Sequence, residues 1–177
     1  MQLPIVKYGD PRLRTKCKPI EKITDEIRQL VLDMIETFDA TNGIGIAAPQ
    51  VGHLLRLFVC RSYIDTADGQ WAMTQPQVYI NPKLTDHSEE TIEDDEGCLS
   101  IPGLRGNVIR PLKVTVEALD IHGKSFREEL TGYNARIRMH ENDHINGVLF
   151  IDRLSPKDRK QVEPTLQRIK HSHSANA

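Results

Sequence analysis

No apolar run in the 177 residues approaches the roughly 20 that a membrane helix needs, so no membrane association is expected. The first residues, MQLPIVKYGDPRLR, have no signal-peptide apolar segment, and Pro4 and Pro11 break the long helix of a transit peptide. Cysteine is scarce as well. Cys17, Cys60 and Cys98 are an odd, widely spaced set that offers no disulfide framework, so a reducing, cytoplasmic setting is the expectation. Excess charge of either sign is also missing. A formal net charge of -2 gives no extended basic footprint, and direct DNA binding is not expected. Repeats, heptads and low-complexity tracts are absent, and aromatic residues make up only 5%.

What is present describes a globular domain: 38% hydrophobic and 27% charged residues, in a chain long enough to bury a core. Residues 24 to 42 carry apolar side chains at Ile27, Leu30, Val31, Met34, Ile35 and Phe38, the spacing of one helical stripe. Thr24 caps its start, with Asp25 and Glu26 at the positive dipole end, and Asn42-Gly43 closes it. GIGIAAPQVG is too irregular for a helix. RLFVCRS, residues 56 to 62, reads as a buried strand, residues 63 to 76 as a surface excursion, and VYINP as a short strand stopped by Pro82. A polar acidic stretch, SEETIEDDE, leads into GCLSIPGLRG. KVTVEALD and SFREEL form a hairpin. A helix runs from Thr131 to Asn146-Gly147, VLFIDR is extended, and a further helix spans residues 156 to 170 before a frayed HSHSANA end.

Chemistry concentrates in HENDH at residues 140 to 144. Positions i and i+4 lie on one helix face about 5–6 Å apart, so His140 and His144 can reach a single ion. Glu141 sits about 100° around, close enough to exchange a proton with a water at that ion without becoming a ligand. A metal lowers the pKa of water toward about 7, and a neighbouring carboxylate can accept the proton and pass it to a leaving amine. The bland alternative is an exposed face on which histidines are merely tolerated.

A third ligand is needed. Glu163 lies 19 residues beyond His144 but directly precedes Pro164, which disfavours helical geometry there. His171 and His173 fall in the Ser-rich end, which reads as disordered. Cys98 ranks first: it lies in EGCLSIPGLRG among small and turn-forming residues, and a thiolate with two imidazoles leaves a fourth position open for water. Cys60 reads as a core residue, and Asp143 points away from the ion into a supporting or salt-bridge role.

Three blocks in order, GIGIAAPQ at 43 to 50, EGCLS at 96 to 100 and HENDH at 140 to 144, resemble those of the peptide deformylases. Weaker similarity runs from the amino terminus to about Leu154. The resemblance implies an α+β fold with antiparallel sheets packed around a central helix that bears the metal motif. It also implies a metal-dependent hydrolase that removes the formyl group from the formylmethionine of newly made polypeptides and releases formate. By position, Cys98, His140 and His144 would bind one ion, Fe2+ with Zn2+, Ni2+ or Co2+ able to substitute, while ligand chemistry alone favours zinc. Glu141 would be the acid-base residue, and the Gln50 amide and Leu99 N–H would hold the oxyanion. Ile44, Gly45 and Gly97 are candidates for backbone contacts to the peptide, Tyr133 and Ile137 for the methionine pocket, and Arg105 for contact beyond it.

One departure is Met139, where many members have Gln. It is not a ligand position, so a change in packing is expected rather than lost activity. Two rival readings are a metalloprotease that uses Glu163 and a non-enzymatic module with a structural metal. The expected organisation is a catalytic domain over residues 1–154 and a basic helix and tail over 155–177. That tail carries five Lys/Arg against two acids, a net of +3, and is a candidate for ribosome contact.

Overall fold

The apolar stripe of the first helix lands on a sheet. The computed structural model describes residues 1–174, and in it α1 is Asp25–Asp39. In chain order the strands are β1 (Gly45–Ala47), β2 (Leu57–Cys60), β3 (Tyr63–Asp65), β4 (Trp71–Met73), β5 (Gln77–Thr85), β6 (Thr91–Cys98), β7 (Ile101–Pro111), β8 (Lys113–Leu119) and β9 (Ser125–Thr131). Helices α2 (Gly132–Ile145) and α3 (Pro156–Ser174) follow. A five-stranded antiparallel sheet has the order β1-β2-β5-β8-β9, and β3-β4 and β6-β7 are separate two-stranded sheets. The class is α+β.

One face of the large sheet buries Ile46, Leu57, Val59 and Ile80 against Leu30, Val31, Met34 and Phe38 of α1. The Thr24 hydroxyl accepts from the Ile27 N–H, and Asn42 takes the left-handed conformation at φ 57° just beyond the helix. The opposite face buries Phe58, Tyr79, Val114 and Val116 against Ala135, Ile137 and Met139 of α2. Met139 is a packing residue, 5% exposed. A third cluster joins β7, residues 149–154 and α3 through Ile101, Val108, Phe150, Leu166 and Ile169.

Helix α2 has no amphipathic stripe, because Arg136, Arg138, Glu141, Asp143 and His144 are buried along with its apolar residues. Two residues past its end, Gly147 has φ 75° and a Cβ there would lie 2.8 Å from the Arg14 backbone, so only glycine fits.

Several expectations change. Pro82 does not stop β5: the strand passes through an irregularity between Ile80 and Lys83, where Asn81 at φ 51° ties its side chain to both backbone groups of Ile20. The acidic stretch is strand β6, paired along its length with β7; its exposed outer residues hid it from any apolar pattern. VLFIDR is not extended throughout: Phe150–Arg153 is a 3-10 turn, with the Asp152 carboxylate accepting the Leu149 N–H. Residues 63 to 76 contain an ordered hairpin.

Glu163 is helical despite Pro164. The proline and Lys160, whose carbonyl loses its partner, are both exposed, while Leu166 and Ile169 anchor α3 in the core. His171 and His173 lie in the last turn of the same helix rather than in a disordered end. Ala175 to Ala177, the remainder of the expected frayed tail, fall outside the described residues.

Candidate metal centre and cleft

β6 delivers Cys98 to the helix. The ladder shifts register between Gly97 and Cys98, and Leu99-Ser100 turn the chain into β7, which leaves the sulfur facing α2. Cys98 Sγ lies 3.4 Å from His144 Nε2, the two imidazole centroids are 5.1 Å apart, and one donor atom from each of Cys98, His140 and His144 falls within 4.8 Å of the others. Among the described residues no other cluster of His, Cys, Asp and Glu has this geometry. Glu163 instead pairs with Arg159 and accepts from Gln167 on α3.

The two histidines shift in opposite directions. Burial opposes the charged form of His140, yet the Cys98 sulfur and the Glu96 carboxylate outweigh it and hold its pKa up at about 10. Burial and the neighbouring His140 push His144 well below its ordinary value. A thiol and two imidazoles whose donor atoms converge within 4.8 Å fit a divalent ion of borderline softness, and three protein donors leave it an open position.

Glu141 follows His140 on the helix and is 4% exposed. Burial lifts its carboxyl to about 7, with the His140 charge opposing. Its Oε2 is buried with no hydrogen-bond partner among the described residues, and the residue borders the cleft, as expected of a group kept for a ligand or water. β1 presses on it from behind: a Cβ on Gly45 would meet Glu141 Oε1 and Cys60 Cβ, each at 3.0 Å.

Gln50 lies in the 3-10 turn Ala48–Val51 with its amide beside the sulfur. Its Oε1 accepts the Ala47 N–H at 2.9 Å, while Nε2 donates to Ser100 Oγ at 3.2 Å and Cys98 Sγ at 3.4 Å. Together these residues border a cleft of about 810 Å³. The other sequence candidates Ile44, Gly45, Gly97, Leu99, Arg105, Tyr133 and Ile137 line the same cleft, and His144 sits buried behind it. Arg105 pairs with Asp95 and lies against Gly97. Ile137 is buried between the cleft and the sheet.

Sequence reasoning missed the support beneath the cluster. Glu96 Oε1 meets His140 Nδ1 at 2.8 Å and accepts from Arg110 at 2.9 Å, while Oε2 accepts from Arg110 and Arg136, each at 2.6 Å. Arg110 continues to Asp143 at 3.0 Å, and Asp143 takes both arms of Arg153 at 2.7 and 2.8 Å. Asp143 thus pairs with arginines instead of joining the cluster of Cys98, His140 and His144. A carboxylate two residues before the candidate ligand Cys98 was the available signal for Glu96, since metal-bound histidines commonly give their second nitrogen to a carboxylate. Lys7, whose ammonium donates to the Leu99 carbonyl at 3.3 Å, carried no such signal.

An α+β domain holding an open Cys-His-His cluster beside a buried glutamate defines a metal-dependent hydrolase. The comparisons give the family. The polypeptide deformylase family model matches residues 2–160. A peptide deformylase of Acinetobacter baumannii is 46% identical over 94% of this chain and 91% of its own, and one of Chlorobaculum parvum is 42% identical over 96% and 89%. The crystal structure of peptide deformylase from Ehrlichia chaffeensis superposes with a TM-score of 0.86 at 35% identity, over 99% of both chains. The chain belongs to the polypeptide deformylase family, metal-dependent enzymes that remove the N-formyl group from newly made polypeptides.

Proposed function

We propose that Cys98, His140 and His144 hold one divalent ion, that Glu141 moves the proton, and that the Gln50 amide and the Leu99 N–H steady the oxyanion as the formyl group is hydrolysed. The convergence of the three ligand atoms beside the unpartnered Glu141 Oε2 carries this reading. When bound, the ion supplies Lewis-acid charge and acidifies water. Glu141, lifted to about 7 by burial, is matched to take a proton near neutral pH and return it to the departing α-amine as formate leaves. Gln50 is pinned at Oε1 by the Ala47 N–H, which holds its amide nitrogen beside Cys98 Sγ and Ser100 Oγ, and the bond to the sulfur is the one that an oxyanion would replace. Glu96 fixes the His140 ring by occupying Nδ1, which turns Nε2 toward the cluster. Ile44, Gly45 and Gly97 offer backbone groups to an extended peptide. Tyr133 and Ile137 form part of an apolar wall for the methionine side chain, and Arg105 stands where the peptide continues.

The deciding assay is formate release from a formyl-Met peptide beside its acetylated counterpart: release from the first alone is expected, and equal release from both would overturn the reading. Ferrous iron is the proposed resident ion, with Zn2+, Ni2+ or Co2+ able to substitute. Metal analysis of anaerobically purified protein, with activity counted per ion, tests it. We also propose a cytoplasmic enzyme, consistent with three free cysteines and with no described helix long and apolar enough to cross a membrane. The basic segment 155–177 is proposed to touch the ribosome, and unchanged ribosome co-sedimentation after its deletion would remove that part.

A further inference from the structure

Two turns carry the groups proposed to steady the oxyanion, and a segment near the amino terminus touches both. Cys98 pairs with Ile101, so Leu99 and Ser100 make a two-residue turn between them. Both carbonyls of that turn are taken by the amino-terminal segment: the Lys7 ammonium donates to Leu99 C=O at 3.3 Å, and the Tyr8 N–H donates to Ser100 C=O at 2.8 Å. One residue earlier, the Val6 N–H donates to the Gln50 carbonyl at 2.7 Å. Three consecutive residues thus stitch the Gln50 turn to the Leu99-Ser100 turn.

The segment is held from behind. Val6 and Tyr8 pack into the cluster of Ile101 and Phe150, whereas Ile5 and Lys7 border the cleft, the alternation of an extended chain. Lys7 differs from the other cations of the cleft. Arg105 pairs with Asp95 and Arg136 with Glu96, while among the described residues no carboxylate pairs with Lys7. The half-buried ammonium gives its hydrogen bond to the turn instead.

We infer that Lys7 is a positioning residue for formyl hydrolysis: together with the Val6 and Tyr8 N–H groups it fixes the spacing between the Gln50 amide and the Leu99 N–H. The inference rests on the deformylase reading and deepens it. Donors aimed at a developing charge are effective only when they are in place beforehand. A two-residue turn with free carbonyls can shift as a unit, and it would carry with it the Leu99 N–H and Ser100 Oγ, which accepts from Gln50 Nε2 at 3.2 Å. Lys7 at one carbonyl and Tyr8 at the next oppose that shift, and Val6 refers the Gln50 turn to the same segment.

The test uses the full chain loaded with metal and reads kcat and KM by formate release from a formyl-Met peptide. Lys7→Met keeps the aliphatic stem and loses the donor. It should retain its metal and lower kcat roughly 10- to 100-fold, with KM changed by no more than about twofold. Lys7→Arg should recover most of the rate. When Lys7→Met is combined with Gln50→Ala, the two losses should be less than multiplicative, because the turn that Lys7 holds also carries the hydroxyl that Gln50 uses. A full rate in Lys7→Met overturns the inference, as does a loss confined to KM, a loss of metal, a loss that Lys7→Arg does not recover, or losses that multiply fully. Each of these leaves the deformylase reading standing. Absence of formate release from the unsubstituted protein overturns that reading itself. A full rate in Gln50→Ala overturns the oxyanion assignment of Gln50 and, with it, the spacing that Lys7 is inferred to fix.

Discussion

His140 Nδ1 lies 2.8 Å from Glu96 Oε1, and that one carboxylate also pairs with Arg110 and Arg136 beneath the cluster. The pairing joins the orientation of a candidate ligand to the charge balance of the core. Glu96 and Arg110 expose 4% and 3% of their side chains, so neither charge has water to fall back on.

Glu96→Ala leaves two buried guanidinium groups short of a partner, and chemical denaturation should show a loss of about 3–5 kcal/mol. Glu96→Gln keeps the shape and should bind metal roughly 10–100-fold more weakly in a competition titration. Unchanged metal affinity in the Gln variant would mean that the histidine does not need the carboxylate.

Glu141→Ala should retain its metal and lose turnover by a factor on the order of 10²–10⁴. Elemental analysis beside formate release separates the two effects. A near-normal rate would remove this glutamate from the proton path.

Gln50→Ala should slow kcat by an amount worth about 2.7–4 kcal/mol of barrier, with a smaller change in KM. An effect confined to KM would assign Gln50 to peptide binding instead.

Gly45→Ala drives a methyl group to 3.0 Å from both Glu141 Oε1 and Cys60 Cβ. We expect about 1–3 kcal/mol of lost stability and a fall in kcat, with partial recovery in the Gly45→Ala, Cys60→Ala double variant, which frees space behind β1.

The three thiols should separate by reactivity. Burial pushes Cys60 up to about 12, and burial also raises Cys17. Between the ordinary thiol value and about 12 the unfolded chain holds fewer protons at Cys60 than the folded one. The Cys60 contribution to stability is therefore present at neutral pH and is lost as pH rises through that window. At pH 8 an alkylating reagent should mark the folded protein at Cys98 once a chelator has removed the metal, at no cysteine while metal is bound, and at all three after unfolding. Mass spectrometry reads the sites. Alkylation of Cys98 with metal still bound would argue against it as a ligand.

Part of the fold was legible because its signals are local. The stripe from Ile27 to Phe38 and the alternation in KVTVEALD depend on neighbours three or two residues away, and both elements form where the pattern puts them. β6 was not legible, since exposed acids on a two-stranded sheet leave no apolar period. Pro82 misled because a bulge removes the ladder bond that a proline cannot make. In the site, H-E-x-x-H fixed two candidate ligands and their glutamate through helical geometry alone, whereas Glu96, Arg110 and Lys7 entered through contacts 33 to 92 residues away in sequence.

The sequence by itself determined the chemistry on offer: two imidazoles one turn apart, a carboxylate beside the first, a lone thiol in a turn, and three ordered blocks that together mark one family. The tertiary structure decided which groups meet. Folding β6 against α2 sets the Cys98 sulfur beside the histidines, places a carboxylate under one ring and walls the cleft with aromatic residues. The reason is physical: helical period and turn preference act over a few residues and are written along the chain, while convergence of donors and the burial that shifts their charges exist only after distant segments have packed.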